Sequence, residues 1–319
     1  MNTRSLAKSI IERTLVASGA AGWSARQHQQ EICILAYHNV VPDDLPWPGD
    51  ASLHLRRRDF CDQLEHIGRH YDVVPLMAVL GSPSRGRRPR VAITFDDAYQ
   101  GALAIGVEEL ARRGMPATVF VPPGLLGGRP LWWDTYGPPR QPGAGGSSGG
   151  LTPEMRTEGL SDAAGRDAAV GEWARRAGWV VHELSVPMLT GTEAELAAAC
   201  RRHDGLTLGS HSWSHPDLTQ LGHAALDAEL RAPLEWLRAR FLCTIPWLTY
   251  PYGLSSPQVE RATRASGYEA GALVVGGWTR IAPENPFAIP RANIPAGISR
   301  AGFALRVAGL HMRGRANHA

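Results

Sequence analysis

Short apolar runs recur along the chain, and most of them are followed by polar residues or by glycine and proline. Runs of this length, bounded by turn-forming residues, are typical of β-strands. We predict about seven strands, at residues 32–37, 91–95, 117–121, 206–209, 244–250, 272–275 and 288–294.

Stretches with helical spacing of apolar residues lie between many of these runs. They cover residues 60–69, 102–113, 224–240 and 258–266. Gly114 and Gly267 follow two of them, at the position where glycine commonly ends a helix. Strands that alternate with helices predict an α/β fold with a parallel sheet or an α/β barrel.

One segment interrupts this alternation. Residues 137–150 read GPPRQPGAGGSSGG, a composition typical of a flexible loop, and residues 152–202 are alanine-rich and helix-like. We therefore predict a single domain over residues 31–310, long enough to bury a full core, with an insertion at about 125–203. Residues 1–30 precede this domain as an amphipathic segment, and residues 311–319 follow it as a tail.

The N-terminal segment has apolar positions that charged residues interrupt. Leu6, Ile10 and Leu15 alternate with Lys8 and Glu12, so the segment lacks the continuous apolar centre of a secretory signal. An amphipathic helix there is expected to pack on the domain. Contact of residues 1–24 with a membrane surface is the alternative. The chain has no 18-residue apolar run, so we expect a cytoplasmic protein, with membrane association left open.

Charge and cysteine content exclude some classes of function. A net charge of +3 is too small to indicate a nucleic-acid partner, and the basic stretches at 56–58 and 85–90 are expected to be solvated. The four cysteines are scattered and form no CxxC pair, so we expect free thiols and neither a disulfide framework nor a structural zinc site. They are Cys33, Cys61, Cys200 and Cys243.

Two adjacent carboxylates, Asp96 and Asp97, follow the predicted strand at 91–95. Aspartate disfavours strands, whereas acidic residues at the C-terminal end of a barrel strand commonly belong to an active site. One carboxylate would bind a metal while its neighbour, which points elsewhere, acts on a proton. A simple helix cap at Asp97 is the alternative.

Two histidines, His211 and His215, follow the predicted strand at 206–209. Histidines four residues apart lie on one side of a helical turn and can share a cation. Two histidines and one carboxylate leave positions open for water and substrate, as a catalytic metal site requires.

Two further strand ends carry polar or turn-forming groups. Tyr250, Pro251, Tyr252 and Gly253 form a turn that can present backbone N–H groups to an oxyanion or can be a turn only. His38 follows the first predicted strand. The ends of parallel strands open onto one rim of a barrel, so we expect all four groups at one site.

Together these residues resemble the polysaccharide deacetylases of carbohydrate esterase family four, over roughly residues 31–300. TFDDAY at 94–99 is similar to the family's first motif, HSWSH at 211–215 to its second, and TYPYG at 249–253 to its third. YHNV at 37–40 and the Pro-Arg pair that ends at Arg291 resemble the branch that deacetylates poly-N-acetylglucosamine and other exopolysaccharides.

The resemblance implies a distorted (β/α) barrel and a role for each matching residue. Asp96 would be the catalytic base, and Asp97, His211 and His215 would bind one divalent metal ion, expected to be Zn²⁺. His38 would be the general acid, Arg291 would orient Asp96, and the backbone N–H of Tyr252, beside Pro251, would hold the oxyanion. Trp133 would stack on a sugar or pack the insertion.

The sequence departs from the family pattern at two motif positions and lacks a clear late Leu-x-His motif. Ala98 replaces a glycine, and Thr249 stands where many members have an arginine. The expected activity is hydrolysis of acetyl groups from N-acetylated sugars of a polysaccharide or its precursor. A lipid-linked or small substrate, and an inactive carbohydrate-binding homologue, are the alternatives.

Overall fold

The computed structural model of the chain describes residues 3–28, 30–45, 52–81, 88–138 and 153–310. The strands are β1 Glu31–Tyr37, β2 Asn39–Val41, β3 His54–Arg56, β4 Asp72–Val73, β5 Arg90–Phe95, β6 Ala117–Val121, β7 Tyr136–Gly137, β8 Val180–Val181, β9 Leu206–Ser210, β10 Thr244–Thr249, β11 Ala270–Ala272, β12 Trp278–Arg280 and β13 Ala292–Asn293. The helices are α1 Thr3–Ala17, α2 Ala20–Gln27, α3 Arg57–His70, α4 Val107–Ala111, α5 Trp132–Thr135, α6 Pro153–Ala163, α7 Asp167–Arg176, α8 Glu193–Arg202, α9 His223–Arg240, α10 Pro257–Ala265 and α11 Arg300–Val307.

One large sheet organises the described residues. Its main path runs in the order β11, β10, β9, β6, β5, β1, β12, with β13 beside β1 and β4 beside β5. The pairs from β11 through to β1 are parallel, and β12 is antiparallel to β1. This curled, largely parallel sheet with its helices confirms the predicted α/β fold of a distorted (β/α) barrel.

Both faces of the sheet are buried, which explains the unbroken apolar runs. Cys33 and Leu35 of β1 pack with the helices in one core cluster, whereas Ile32 and Ile34 belong to a second cluster with Phe120. Successive residues of a strand point to opposite faces, so the consecutive apolar residues 32–35 of β1 fill both clusters.

The strand bounds predicted near the C-terminus are wrong. The sixth run, 272–275, leaves the sheet after Ala272, where β11 ends, and Val275 is 58% exposed. The seventh run, 288–294, contains Pro290, which has no N–H to donate to a ladder. Pairing there is reduced to a bridge at Ile289 and the two residues of β13.

The predicted helices at 60–69, 224–240 and 258–266 correspond to α3, α9 and α10. The helix predicted at 102–113 begins as a π-helical turn, Ala102–Gly106, before α4. The stretch predicted to be helix-like at 152–202 contains α6, α7 and α8. Most of the predicted loop at 137–150 and the tail at 311–319 lie outside the described residues.

The N-terminal helices lie against the last helix of the fold. The Glu12 carboxylate of α1 accepts a hydrogen bond from the Ser299 hydroxyl at 2.7 Å, just before α11. Ser24 of α2 donates to the carbonyl of Ala308 at 2.7 Å. Across the described parts of the chain, no helix combines the length and apolar character needed to cross a bilayer.

Candidate active site

The predicted site residues meet in a small cavity of about 50 Å³ at the rim where the parallel strands end. Asp96 follows β5, His38 follows β1, and His211 follows β9. The cavity lining comprises His38, Leu53, Asp96, Asp97, Trp133, Arg156, His211, His215, Tyr250, Tyr252, Gly253, Val274 and Asn293. Of the nine residues assigned roles from the sequence, only Arg291 and Pro251 do not line it, and both are buried.

Asp97, His211 and His215 turn one potential ligand atom each toward a common point. Asp97 Oδ1 lies 3.5 Å from His211 Nε2 and 3.4 Å from His215 Nε2, and the two Nε2 atoms are 3.1 Å apart. All three ligand atoms lie within 4.8 Å of one another, and all three residues are buried. Among the described residues, this is the one group of three or more His, Cys, Asp or Glu side chains that could hold a metal ion.

The tautomer of His211 suits metal binding. Its Nδ1–H donates to the carbonyl of Thr249 at 2.8 Å, which leaves the Nε2 lone pair directed at Asp97 and His215. Burial lowers the pKa of His211, and burial together with the charge of His211 lowers the pKa of His215 well below its usual value. Both rings are therefore neutral, the state in which imidazole binds a metal.

The prediction that these histidines share a helical turn is wrong. Residues 211–217 form an irregular loop, in which Ser212 and His215 both have φ of 59°. The loop is held from α9, because Glu229 Oε2 accepts the backbone N–H groups of Trp213 and Ser214 at 2.9 Å each. The Ser214 hydroxyl also donates to Glu229 Oε1 at 2.6 Å.

Asp97 occupies a position that favours a cation. Its backbone has φ of 68°, and the adjoining Ala98, which replaces the family's glycine, has φ of 50°. Burial and the charges of Asp96 and Asp134 raise the pKa of Asp97 well above its usual range. Asp97 Oδ1 is buried without a hydrogen-bond partner. A buried carboxylate oxygen without a partner, facing two neutral imidazoles, fits a divalent metal ion.

Asp96 is held by a two-point ion pair with Arg291. Arg291 Nη1 lies 2.8 Å from Asp96 Oδ1, and Nη2 lies 2.7 Å from Oδ2. Arg291 is fully buried, and it also donates to Thr94 Oγ1 and the Leu273 carbonyl. Burial acts to raise the pKa of Asp96, but the charge and hydrogen bonds of Arg291 lower it well below its usual range. Asp96 is thus an ionised carboxylate, able to accept a proton.

His38 faces the same cavity from the end of β1. Burial lowers its pKa to about 4, and the charges of Arg291, Arg156 and His211 act in the same direction against the opposing charge of Asp96. The imidazole is therefore neutral at neutral pH. Once protonated it is a strong proton donor, because its surroundings favour loss of the charge.

Tyr252 and Trp133 form one wall of the cavity beside His215. The ring centroids of Tyr252 and Trp133 lie 4.6 and 4.9 Å from that of His215. Tyr252 has φ of 59° in the short 3-10 turn Pro251–Gly253. Trp133 is only 3% exposed, and its Nε1–H donates to the Tyr99 hydroxyl at 2.8 Å. Trp133 is therefore fixed in place where it lines the cavity.

A buried polar network behind Trp133 was not foreseen from the sequence. Asp134 accepts from the Tyr99 hydroxyl at 2.6 Å and pairs with His54 Nε2 at 2.8 Å. His54 Nδ1 lies 3.0 Å from Asn39 Nδ2. The only sequence signal was a carboxylate directly after two tryptophans, since His54 lies 80 residues away from Asp134. Arg156, which α6 brings to the cavity, was also missed.

Part of the chain matches a known protein family by sequence. A family model described as polysaccharide deacetylase matches residues 171–271, which include His211, His215 and Tyr252 but not Asp96. No curated protein matches the chain by sequence.

Three solved structures have a similar fold. The Streptococcus pyogenes deacetylase PplD, solved in complex with acetate, is 17% identical, with 84% of this chain and 94% of that chain covered and a TM-score of 0.56. IcaB from Ammonifex degensii is 14% identical, with 88% and 97% covered and a TM-score of 0.56. A de-N-acetylase from Aggregatibacter actinomycetemcomitans is 13% identical, with 82% and 94% covered and a TM-score of 0.54.

At these identities the likeness to the solved structures is one of fold. The family match and the shared fold together confirm the predicted resemblance to polysaccharide deacetylases, which are hydrolases of carbon–nitrogen bonds in N-acetylated sugars.

Proposed function

We propose that this polysaccharide deacetylase-like chain is a metal-dependent enzyme that removes acetyl groups from N-acetylated sugars of a polysaccharide or its precursor. The observation that carries the proposal is the meeting of Asp97, His211 and His215 beside the Arg291-held carboxylate of Asp96. A metal-ligand set next to an ionised base is the arrangement that hydrolysis by an activated water requires.

Asp97, His211 and His215 would hold the divalent metal ion, for which Zn²⁺ is our choice. Such an ion brings the pKa of a water to about 7 and polarises a carbonyl oxygen. Asp96 would accept the proton of the attacking water, and Arg291 would keep Asp96 ionised and fixed in orientation. The turn at Pro251 would present the backbone N–H of Tyr252 to the oxyanion that forms.

His38 would complete the reaction by protonating the departing nitrogen. Because His38 is neutral in the free protein, it must first take up a proton during the cycle, and Asp96 is the group that gains one as water attacks. The low pKa of His38 then favours transfer of that proton to the more basic amine. The products are acetate and a free amino sugar.

The substitution Asp96→Asn tests the assignment of the base. An amide cannot accept the water's proton, so we expect turnover to fall by about 1,000-fold or more while zinc remains bound. Asp204→Asn, at an exposed turn before β9 and outside the cavity lining, is the control. Full activity in the Asp96→Asn protein would refute the role of Asp96.

The acyl acceptor is a separate question from the chemistry. The name of the Aggregatibacter relative, a de-N-acetylase, supports an amide rather than an ester. A panel of N-acetylated sugar oligomers, O-acetylated sugars and small amides tests the acyl acceptor. We propose that the N-acetylated sugars release acetate faster than the other two classes. Release from the small amides alone would point to a small-molecule amidohydrolase, and metal binding without any release would point to an inactive carbohydrate-binding protein.

We also propose that residues 1–24 contact a membrane surface. Leu6, Ile10, Ile11 and Trp23 are 50%, 57%, 44% and 67% exposed, although α1 and α2 pack on α11 through their other side. Exposed apolar and tryptophan side chains on basic helices are typical of helices that lie in a bilayer interface. A cytoplasmic location remains a prediction.

Sedimentation with liposomes that contain anionic lipid tests this contact. The double substitution Ile10→Ser with Trp23→Ser should release the protein from the pellet, while Leu242→Ser, at a fully exposed leucine elsewhere, should not. Equal sedimentation of both variants would contradict a membrane role for residues 1–24.

A further inference from the structure

Two of the four cysteines lie in contact at the end of the sheet remote from the cavity. Cys200 is in the last turn of α8, and Cys243 directly precedes β10, whose opposite end leads to Tyr250 at the site. Their sulfur atoms are 3.0 Å apart, and both residues are partly exposed. The sequence predicted four unrelated thiols, because β9 and the long helix α9 separate positions 200 and 243.

We propose that Cys200 and Cys243 form an intramolecular disulfide when the protein meets a low-molecular-weight disulfide such as oxidised glutathione. A disulfide bond is about 2.05 Å long, so the two sulfur atoms need to approach by only about 1 Å. Side-chain rotation can supply a movement of that size without displacement of α8 or β10.

The contact couples the two thiols. Because one hydrogen bond joins the sulfur atoms, the proton of one thiol stabilises the thiolate of the other, and either cysteine can attack the oxidant while its neighbour resolves the product. By contrast, burial raises the pKa of Cys33 far above its usual value, and Cys33 is fully buried.

The exchange balances in two steps. The thiolate of one cysteine attacks one sulfur of oxidised glutathione, which forms a mixed disulfide and releases one glutathione thiolate that takes up a proton. The other cysteine then loses its proton, and its sulfur attacks the protein sulfur of the mixed disulfide and displaces the second glutathione. Two protein thiols are oxidised to one disulfide, and one glutathione disulfide is reduced to two glutathione thiols.

The bond would close a loop around the metal-ligand segment. Residues 200–243 contain β9, both histidines of the candidate metal site and α9, whose Glu229 holds the histidine loop. A cross-link between the two ends of this segment restricts its unfolded conformations and so stabilises the folded chain. The effect concerns stability and does not depend on the proposed deacetylase activity.

Peptide mapping after oxidation tests the proposal. The purified full-length protein is incubated with oxidised glutathione, its remaining thiols are alkylated under denaturing conditions, and the digest is analysed by mass spectrometry. We expect a linked pair of peptides that contain Cys200 and Cys243, two alkylated thiols at Cys33 and Cys61, and a Tm higher by roughly 5 °C that falls again after treatment with dithiothreitol.

Matched variants separate this bond from general oxidation. Cys61→Ser, which removes the other partly exposed cysteine, should keep both the linked peptide and the rise in Tm. Cys200→Ser should lose both and retain glutathione on Cys243. A stable glutathione adduct on Cys243 in the wild-type protein, or four alkylated thiols after oxidation, would overturn the proposal, and neither result requires that a variant folds.

Discussion

Arg291 donates to both carboxylate oxygens of Asp96, at 2.8 and 2.7 Å, from a fully buried position directly before β13. Thr249, which stands where many family members have an arginine, reaches the same carboxylate only at 3.5 Å through its hydroxyl. Arg291, 42 positions after Thr249, thus supplies the guanidinium that the third motif lacks. The departure at Thr249 therefore does not leave Asp96 without a cationic partner.

Replacement of Arg291 by lysine should shift the pH profile of activity. A lysine cannot make the two-point contact, so the pKa of Asp96 should rise from its depressed value and the base should be protonated at higher pH. We expect kcat/KM to fall by about 100-fold and the acidic limb of its pH profile to move upward, with zinc content unchanged.

Arg280→Lys, at an exposed position of β12, is the control for this measurement. An acidic limb that stays in place in the Arg291→Lys enzyme would mean that Arg291 has no influence on the ionisation of Asp96.

Glu229→Gln should weaken metal binding without a substitution in any metal ligand. Glu229 holds the loop between His211 and His215 through three hydrogen bonds, and an amide can accept only part of them. Groups that orient metal ligands from behind are commonly worth 10- to 100-fold in affinity, so we expect the Kd for zinc to rise by about tenfold.

Titration of the protein with zinc against a competing chelating dye measures this Kd directly. Glu235→Gln, at an exposed position of the same helix, should leave it unchanged. Equal zinc affinity in the Glu229→Gln and wild-type proteins would show that the loop keeps its shape without the hydrogen bonds to Glu229.

Asp134→Asn should destabilise the fold, because Asp134 is part of the buried polar network behind Trp133. The Tyr99 hydroxyl would lose its charged acceptor, and His54 would lose its buried partner. An unsatisfied buried polar group costs about 1–3 kcal/mol, so the free energy of unfolding should fall by that amount in urea denaturation. Asp162→Asn, whose carboxylate pairs with Arg176 at the surface, should change it by less than about 0.5 kcal/mol.

Glu109→Gln should remove a pH-dependent contribution to stability. Burial acts to raise the pKa of Glu109, but hydrogen bonds from Arg113 and Arg57 lower it from 4.5 to about 2. A carboxyl whose pKa is lower in the folded state stabilises that state above its unfolded pKa, and the contribution disappears as the pH falls toward the folded pKa.

The difference in unfolding free energy between wild type and Glu109→Gln should therefore be about 1–2 kcal/mol at pH 7. It should shrink between about pH 4.5 and pH 2, the window set by the two pKa values. Urea denaturation over this range measures it, with Glu108→Gln, at a partly exposed position of the same helix, as control. A difference that stays constant with pH would contradict the assigned pKa shift.

Much of the sheet could be predicted from the sequence, because strands buried on both faces are rich in consecutive apolar residues. β1, β5, β6, β9 and β10 each contain such a run or a predominance of apolar residues. The end of the sheet could not be predicted in the same way. There Pro290 interrupts pairing, and β-branched residues after Ala272 lie outside the ladder.

The candidate site was predictable where polar residues directly follow a buried strand, as Asp96 and His211 do. It was not predictable where contacts join distant positions or depend on backbone conformation. The left-handed backbone at Asp97 and His215 sets the directions of both side chains, and the residue types at these positions do not predict it. The hydrogen-bond partners of Asp134 and of Glu229 are likewise determined by how the helices pack.

Acetate release from N-acetylglucosamine oligomers, measured before chelation, after chelation and after zinc is added back, tests the central claim most directly. The account predicts activity in the untreated protein, its loss when the metal is removed, and its recovery with zinc. Activity that persists in the fully chelated, metal-free protein would contradict the assignment of Asp97, His211 and His215 as the centre of the reaction.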